Sequence, residues 1–98
     1  MNYVYVLVDK QGRMYVGRSA NLRRRIQEHK SGTTWTTRRM DEPRLIFYEA
    51  FTAKSDSIRR ERYFKTSKGK SSLRQIIRDS LLDSPGWRNG RRAWLKTR

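Results

Sequence analysis

Two phenols, a guanidinium, an imidazole and a carboxylate stand in this chain at spacings that let strands and helices gather them. They are Tyr5 and Tyr15, in the words Tyr3-Val4-Tyr5 and Tyr15-Val16-Gly17, then Arg25 and His29 downstream, then Glu61 between Arg60 and Lys65. Phenols and imidazoles move protons, a guanidinium grips anions through paired N–H groups, and a carboxylate requires an arginine or a cation when buried. The set suits acid–base work on an anion.

Charge indicates what kind of anion. The chain has 24 Lys and Arg against 9 Asp and Glu, a formal +15 with an isoelectric point near 11.3. A polyanionic partner follows, and because periodic apolar segments run through the same sequence, we read a folded nucleic-acid binder and not a disordered basic tail. A ribosome-associated protein, or a surface merely kept soluble by charge, is the plainer alternative. A membrane partner fits poorly, since no long amphipathic helix with a broad apolar face is present.

At 98 residues and 35% hydrophobic content, the chain suits one small domain that buries roughly 60–65% of its unfolded surface. We place that domain at residues 1–84 and read 85–98 as a basic tail carrying Trp87 and Trp94. The absence of cysteine removes disulfide frameworks and thiolate zinc sites and agrees with a reducing compartment. Asp9 interrupts the first apolar run too early for a signal peptide, and nothing approaches the ~18 apolar residues of a membrane span. A soluble, cytoplasmic protein is expected.

The elements that must position the reactive groups follow from pattern. Residues 2–8 are β-branched or aromatic at nearly every position, as in a central strand covered on both faces. Residues 9–13 read as a three-residue hairpin loop with Gly12 supplying the left-handed conformation. If Asp9 faces Arg13, then Leu7 faces Tyr15 and Tyr5 faces Gly17, so the two phenols share one face and Tyr5 has no side chain opposite it. That gap could admit a phosphate, or be an ordinary strand-end glycine.

Ser19 or Asn21 caps a helix to about residue 30, whose inward stripe is Leu22, Arg25, Ile26 and His29. Burying charge on that stripe is costly without a partner, which favours a functional cleft, although a satisfied structural histidine at a helix end is the alternative for His29. Residues 33–43 form a polar loop and residues 44–51 a third strand, apolar on both faces. A second helix, opened near Ser55, puts Ser57, Ile58, Glu61, Phe64 and Lys65 on one stripe. A Ser-Lys-Gly linker at 67–72 then precedes a third helix packed through Leu73, Ile76, Ile77, Ser80 and Leu81. The fold class is α+β, a hairpin plus a third strand flanked by three helices, in the order β-β-α-β-α-α.

These words and their order resemble the GIY-YIG nuclease family over residues 2 to about 70, and most closely its small stand-alone bacterial members, related to the nuclease module of the excision-repair endonuclease. Tyr3 stands where many relatives have glycine, and no asparagine, Asn89 included, is assigned the place that one fills in larger members. The resemblance implies that Tyr5 and Tyr15 are the two signature tyrosines, Arg25 the catalytic helix arginine and Glu61 the ligand of one Mg²⁺ or Mn²⁺. Arg18 takes a position where some relatives have lysine, and His29 one where they have His or Tyr.

Phosphodiester hydrolysis asks for an activated water, stabilised phosphoryl oxygens and help for the leaving 3′ oxygen. Tyr5 could be the base if Arg25, Arg18 or the metal lowers its pKa, with Tyr15 positioning water or phosphate and His29 sharing proton traffic. Arg18, Arg23, Lys30, Arg38, Arg39 and Lys65 are the cations expected to bind DNA, branched or single-stranded. The expected activity is a metal-dependent DNA endonuclease of low sequence specificity, in repair or recombination. The competitors are a non-catalytic nucleic-acid-binding module and a ribonucleoprotein adaptor.

Overall fold

Residues 1–32 and 39–84 are described by the computed structural model. The apolar first run forms β1 (Asn2–Val8), and β2 (Met14–Ser19) and β3 (Arg44–Phe51) flank it in the antiparallel order β2-β1-β3. β1 is the central strand, as its run of apolar residues from Tyr3 to Val8 implies. Tyr5 faces Gly17 and Leu7 faces Tyr15, the register obtained by counting from the turn.

The turn is held more firmly than its sequence suggests. Asp9 N–H donates to the Arg13 carbonyl at 3.0 Å, and Gly12 has φ 83°. The Asp9 carboxylate, 2% exposed, accepts from Gln11 N (3.0 Å), Arg13 N (2.8 Å), Arg13 Nε (2.8 Å) and Asp41 N (3.0 Å). A buried carboxylate persists only with such donors. Spacing alone places Asp9 opposite Arg13 but does not show that its carboxylate holds the turn.

Alternation along β1 sorts the core into two layers. Val4, Val6 and Val8 join Met14 and Val16 under Phe64 of α2 (Lys54–Phe64), Leu73 of α3 (Ser67–Ile76), Leu81 of α4 (Arg78–Leu82) and Ile77, the residue between α3 and α4. On the other face Tyr5 and Leu7 meet Met40, Tyr15 and Leu45 beneath Leu22 and Ile26 of α1 (Leu22–Lys30). Asn21 Oδ1 caps α1 by accepting from Arg24 N at 3.1 Å, and Gly32, at φ 73°, closes its far end.

Three expectations need correction. The first concerns β3, which is an edge strand and not covered on both faces: none of its residues is fully buried, and Tyr48 is 53% exposed. A bulge lies where its pairing with β1 slips, Val6 facing Phe47 but Leu7 facing Leu45, so that Ile46 and Phe47 both pack on the α2 side while Leu45 packs on the α1 side.

The second is the linker at 67–72, which is the first part of α3. Serine and glycine argue against a helix by propensity, but Thr66 Oγ1 accepts from Gly69 N at 3.0 Å, and Gly69 sits where a Cβ would overlap the Tyr63 carbonyl. Glycine is there because two backbones touch. The third is the stripe on the last helix, which breaks at Ile77 (φ −111°, ψ 28°), so Leu73, Ile77 and Leu81 are buried while Ile76 and Ser80 face out. A bidentate pair from Arg60 to Glu49 (2.8 and 3.1 Å), with Arg60 lying over the Phe64 ring, ties α2 to β3.

Candidate active site

The hairpin and α1 bring Tyr5, Tyr15 and His29 into one triangle of rings. Centroids lie 6.3 Å apart for Tyr5 and Tyr15, 5.6 Å for Tyr5 and His29, and 5.7 Å for Tyr15 and His29. Tyr5 Oη and His29 Nε2 are 2.8 Å apart in a buried hydrogen bond. Tyr5 is 1% exposed and His29 4%, whereas Tyr15 is half-buried.

The glycine opposite Tyr5 explains how the phenol fits. A Cβ on Gly17 would lie 2.5 Å from Tyr5 Cζ and Oη and 2.9 Å from Tyr15 Cε2. The gap is therefore filled by the Tyr5 ring itself, which corrects the reading of Gly17 as an opening for phosphate.

Burial sets the electrostatics. It pushes the Tyr5 hydroxyl well above the usual tyrosine range, helped by Tyr15 and, more weakly, by Glu61, and it outweighs the opposing Arg25 guanidinium. Arg25 does act to lower Tyr5, as a neighbouring cation should, but removing a phenolate from water costs more than one partly exposed arginine returns. His29 is pushed down to about 4, first by burial and then by Arg25, against the opposing charge of Glu28. At neutral pH the hydrogen bond joins two uncharged rings, and the tautomer of His29 decides which of them donates.

Arg25, one turn before His29, is partly exposed and pairs with Glu28 at 3.1 Å. Glu61 approaches from α2, on the opposite side of the sheet, and meets Arg18, the residue after Gly17 on the edge strand β2. Arg18 Nε lies 3.6 Å from Glu61 Oε1, and Lys65 Nζ lies 3.1 Å from Oε2. The half-buried Glu61 thus finds its cations.

The resemblance implies a divalent ion at Glu61, and the residues can be tested for it. Among the described residues no three His, Cys, Asp or Glu side chains cluster. A hard cation that keeps most of its water needs only one or two carboxylates. Arg18 Nε beside Glu61 is buried with no hydrogen-bond partner among the described residues, and a phosphate oxygen or a water would satisfy that donor. One largely hydrated cation bound together with a phosphate fits these groups.

The remaining cations are dispersed. Arg23 and Lys30 are exposed on the flank of α1 away from Arg25, Arg39 is exposed, and Arg38 lies outside the described residues, as do Trp87, Trp94 and residues 85–98. The sequence reading missed Tyr48, whose exposure could only be known once β3 was an edge strand. Among the described residues no helix is long and apolar enough to cross a membrane.

A hairpin that delivers two tyrosines to a helix bearing arginine and histidine defines a class. The GIY-YIG catalytic domain family matches residues 1–74, and the chain belongs to that family of nuclease-type domains. Within it, the chain is similar to small UPF0213 proteins. It is 34% identical over 82 residues to UPF0213 protein CPE1444 of Clostridium perfringens, covering 83% of this chain and 88% of that protein. It is 32% identical over 76 residues to UPF0213 protein SH2523 of Staphylococcus haemolyticus, covering 76% and 93%. The solution NMR structure of UPF0213 protein BH0048 from Bacillus halodurans is 35% identical and superposes with a TM-score of 0.50, covering 78% of this chain and 85% of that one.

Proposed function

We propose that the chain is a metal-dependent DNA endonuclease of low sequence specificity, acting in repair or recombination. The observation that carries this reading is the 2.8 Å contact between Tyr5 Oη and His29 Nε2, because it makes a proton path out of two neutral rings. With the ring proton on Nδ1, the phenol donates to Nε2. The attacking water passes a proton to the phenol oxygen as the phenol's own proton moves to Nε2. The water oxygen bonds to phosphorus, the bond to the 3′ oxygen breaks, and that oxygen takes a proton from solvent.

No free phenolate is formed, which suits a hydroxyl that burial holds above its usual pKa. Positive charge comes to rest on His29, where an incoming phosphate anion opposes the effect of burial and Arg25. Arg25 exchanges Glu28 for the scissile phosphate and grips it through paired N–H groups. Tyr15, half-buried beside both rings, orients the water. Glu61 would hold one Mg²⁺ or Mn²⁺, which when bound supplies charge neutralisation at the phosphoryl oxygens.

Nicking of supercoiled plasmid, with Mg²⁺, with Mn²⁺ and with chelator, tests the assignment. Wild type should nick only with metal, and Glu61→Ala should lose at least about a hundredfold. Equal nicking by the two proteins would remove the metal assignment, and no nicking by wild type under any condition would return the chain to a non-catalytic binding module.

A further inference from the structure

A second groove lies on the same face of the sheet, on the other flank of α1. It occupies about 550 Å³ between α1 and β3, and its walls include Tyr3, Tyr48, Leu22, Ile26, Arg23 and Lys30. Helical spacing explains the division. Arg25 and His29 turn to the flank near β2, whereas Arg23, Gln27 and Lys30 turn to the flank near β3.

Three features set this groove apart. Its floor is aromatic: Tyr48 is 53% exposed and is met edge-on by Tyr3 at 6.0 Å and 61°. Its lining contains two cations and no carboxylate, and among the described residues neither Arg23 nor Lys30 takes part in an ion pair. By contrast, the groove between β3 and α2 holds Arg59 and Arg60, each already paired with a carboxylate of the same groove. The groove beside α3 and α4 has cations but no aromatic ring.

We propose that the α1/β3 groove binds an unpaired nucleic-acid strand, with a base stacked on Tyr48 and the backbone phosphates held by Arg23 and Lys30. An aromatic face exposed at a sheet edge accepts any base, and cations at its rim follow the backbone without reading sequence. A paired base, whose faces are already stacked on its neighbours, cannot use that ring. The inference rests on the nuclease reading for its biological setting and adds the form of substrate, a single-stranded segment beside the cut.

Fluorescence anisotropy with labelled dT15 and with a blunt 15-base-pair duplex, both in chelator, tests the groove apart from cleavage. Tyr48→Ala should weaken dT15 binding roughly tenfold, within the range of one lost stacking contact, and should lower the preference for dT15 over duplex. Tyr48→Phe, which keeps the ring face, should bind dT15 as wild type does. Arg23→Ala, on an exposed helix face, should shallow the dependence of log affinity on log salt by about 0.7.

Unchanged dT15 affinity in Tyr48→Ala, or equal losses on dT15 and duplex, would overturn the groove and leave the nuclease reading standing. Should Tyr48→Ala fail to fold, an unchanged salt slope in Arg23→Ala would overturn it equally. Normal dT15 binding through Tyr48 in a protein that never nicks plasmid would do the reverse, keeping the groove and removing the nuclease.

Discussion

The two faces of the sheet are built from one strand and have opposite characters. Val4, Val6 and Val8 lie among aliphatic and aromatic partners, and little on that side can carry chemistry until Glu61 and Arg18 at the β2 edge. Tyr5, one residue away from two of those valines, ends in a hydroxyl bonded to a buried histidine. One face supplies cohesion and the other accepts buried polar groups at a cost in stability, so substitutions on the first should chiefly cost stability and substitutions on the second chiefly activity.

The largest test sets Tyr5→Phe against Leu73→Ala. Tyr5→Phe should lower plasmid nicking by about 10²–10⁴, and should cost about 1–3 kcal/mol of stability because His29 Nε2 loses its partner. Leu73→Ala, at a fully buried site on the aliphatic face, should cost about 2–5 kcal/mol in denaturant unfolding with activity per folded molecule retained. If the two losses came out the other way round, the division between faces would fail.

A smaller perturbation moves the phenol without deleting it. Gly17→Ala places a methyl 2.5 Å from Tyr5 Oη, and the overpacking should cost about 1–3 kcal/mol together with most of the nicking activity. Full activity in that variant would mean that the position of Tyr5 does not matter.

The smallest test uses pH. His29 has a folded pKa of about 4 against an ordinary 6.5, so below pH 6.5 the unfolded chain takes a proton that the folded protein refuses. The associated stability is fully present above 6.5 and is lost as pH falls to about 4, by at most about 3 kcal/mol. His29→Gln should flatten the unfolding free energy across that window. Between roughly pH 5 and 9 neither His29 nor Tyr5 changes charge in the free protein, so kcat/KM for nicking should show no limb from this pair.

Much of this arrangement is legible in the sequence because it depends on local periods. A turn count placed Tyr5 opposite Gly17, and a helical stripe brought Arg25 and His29 inward. What was illegible depends on contacts across the fold. The Asp9 carboxylate finds Asp41 through a tertiary approach, and Gly69 suits a helix only because Tyr63 lies against it. The upward push on Tyr5 needed its burial, which spacing does not report. Tyr48 looked like half of a covered strand until β3 proved to be an edge.

The bulge at Ile46 gives the third strand two parities. Up to Leu45 one set of alternate residues faces α1, and from Phe47 onward the opposite set does, which is what brings Tyr48 to the groove and Glu49 to Arg60. A single-residue deletion at Ile46 would restore regular alternation with both halves of β3 keeping their faces, whereas a deletion elsewhere in the strand would turn over the residues between it and the bulge. Length changes on either side of this seam are therefore not interchangeable, and a strand that looks like a passive border works as a frame-setting device for both faces.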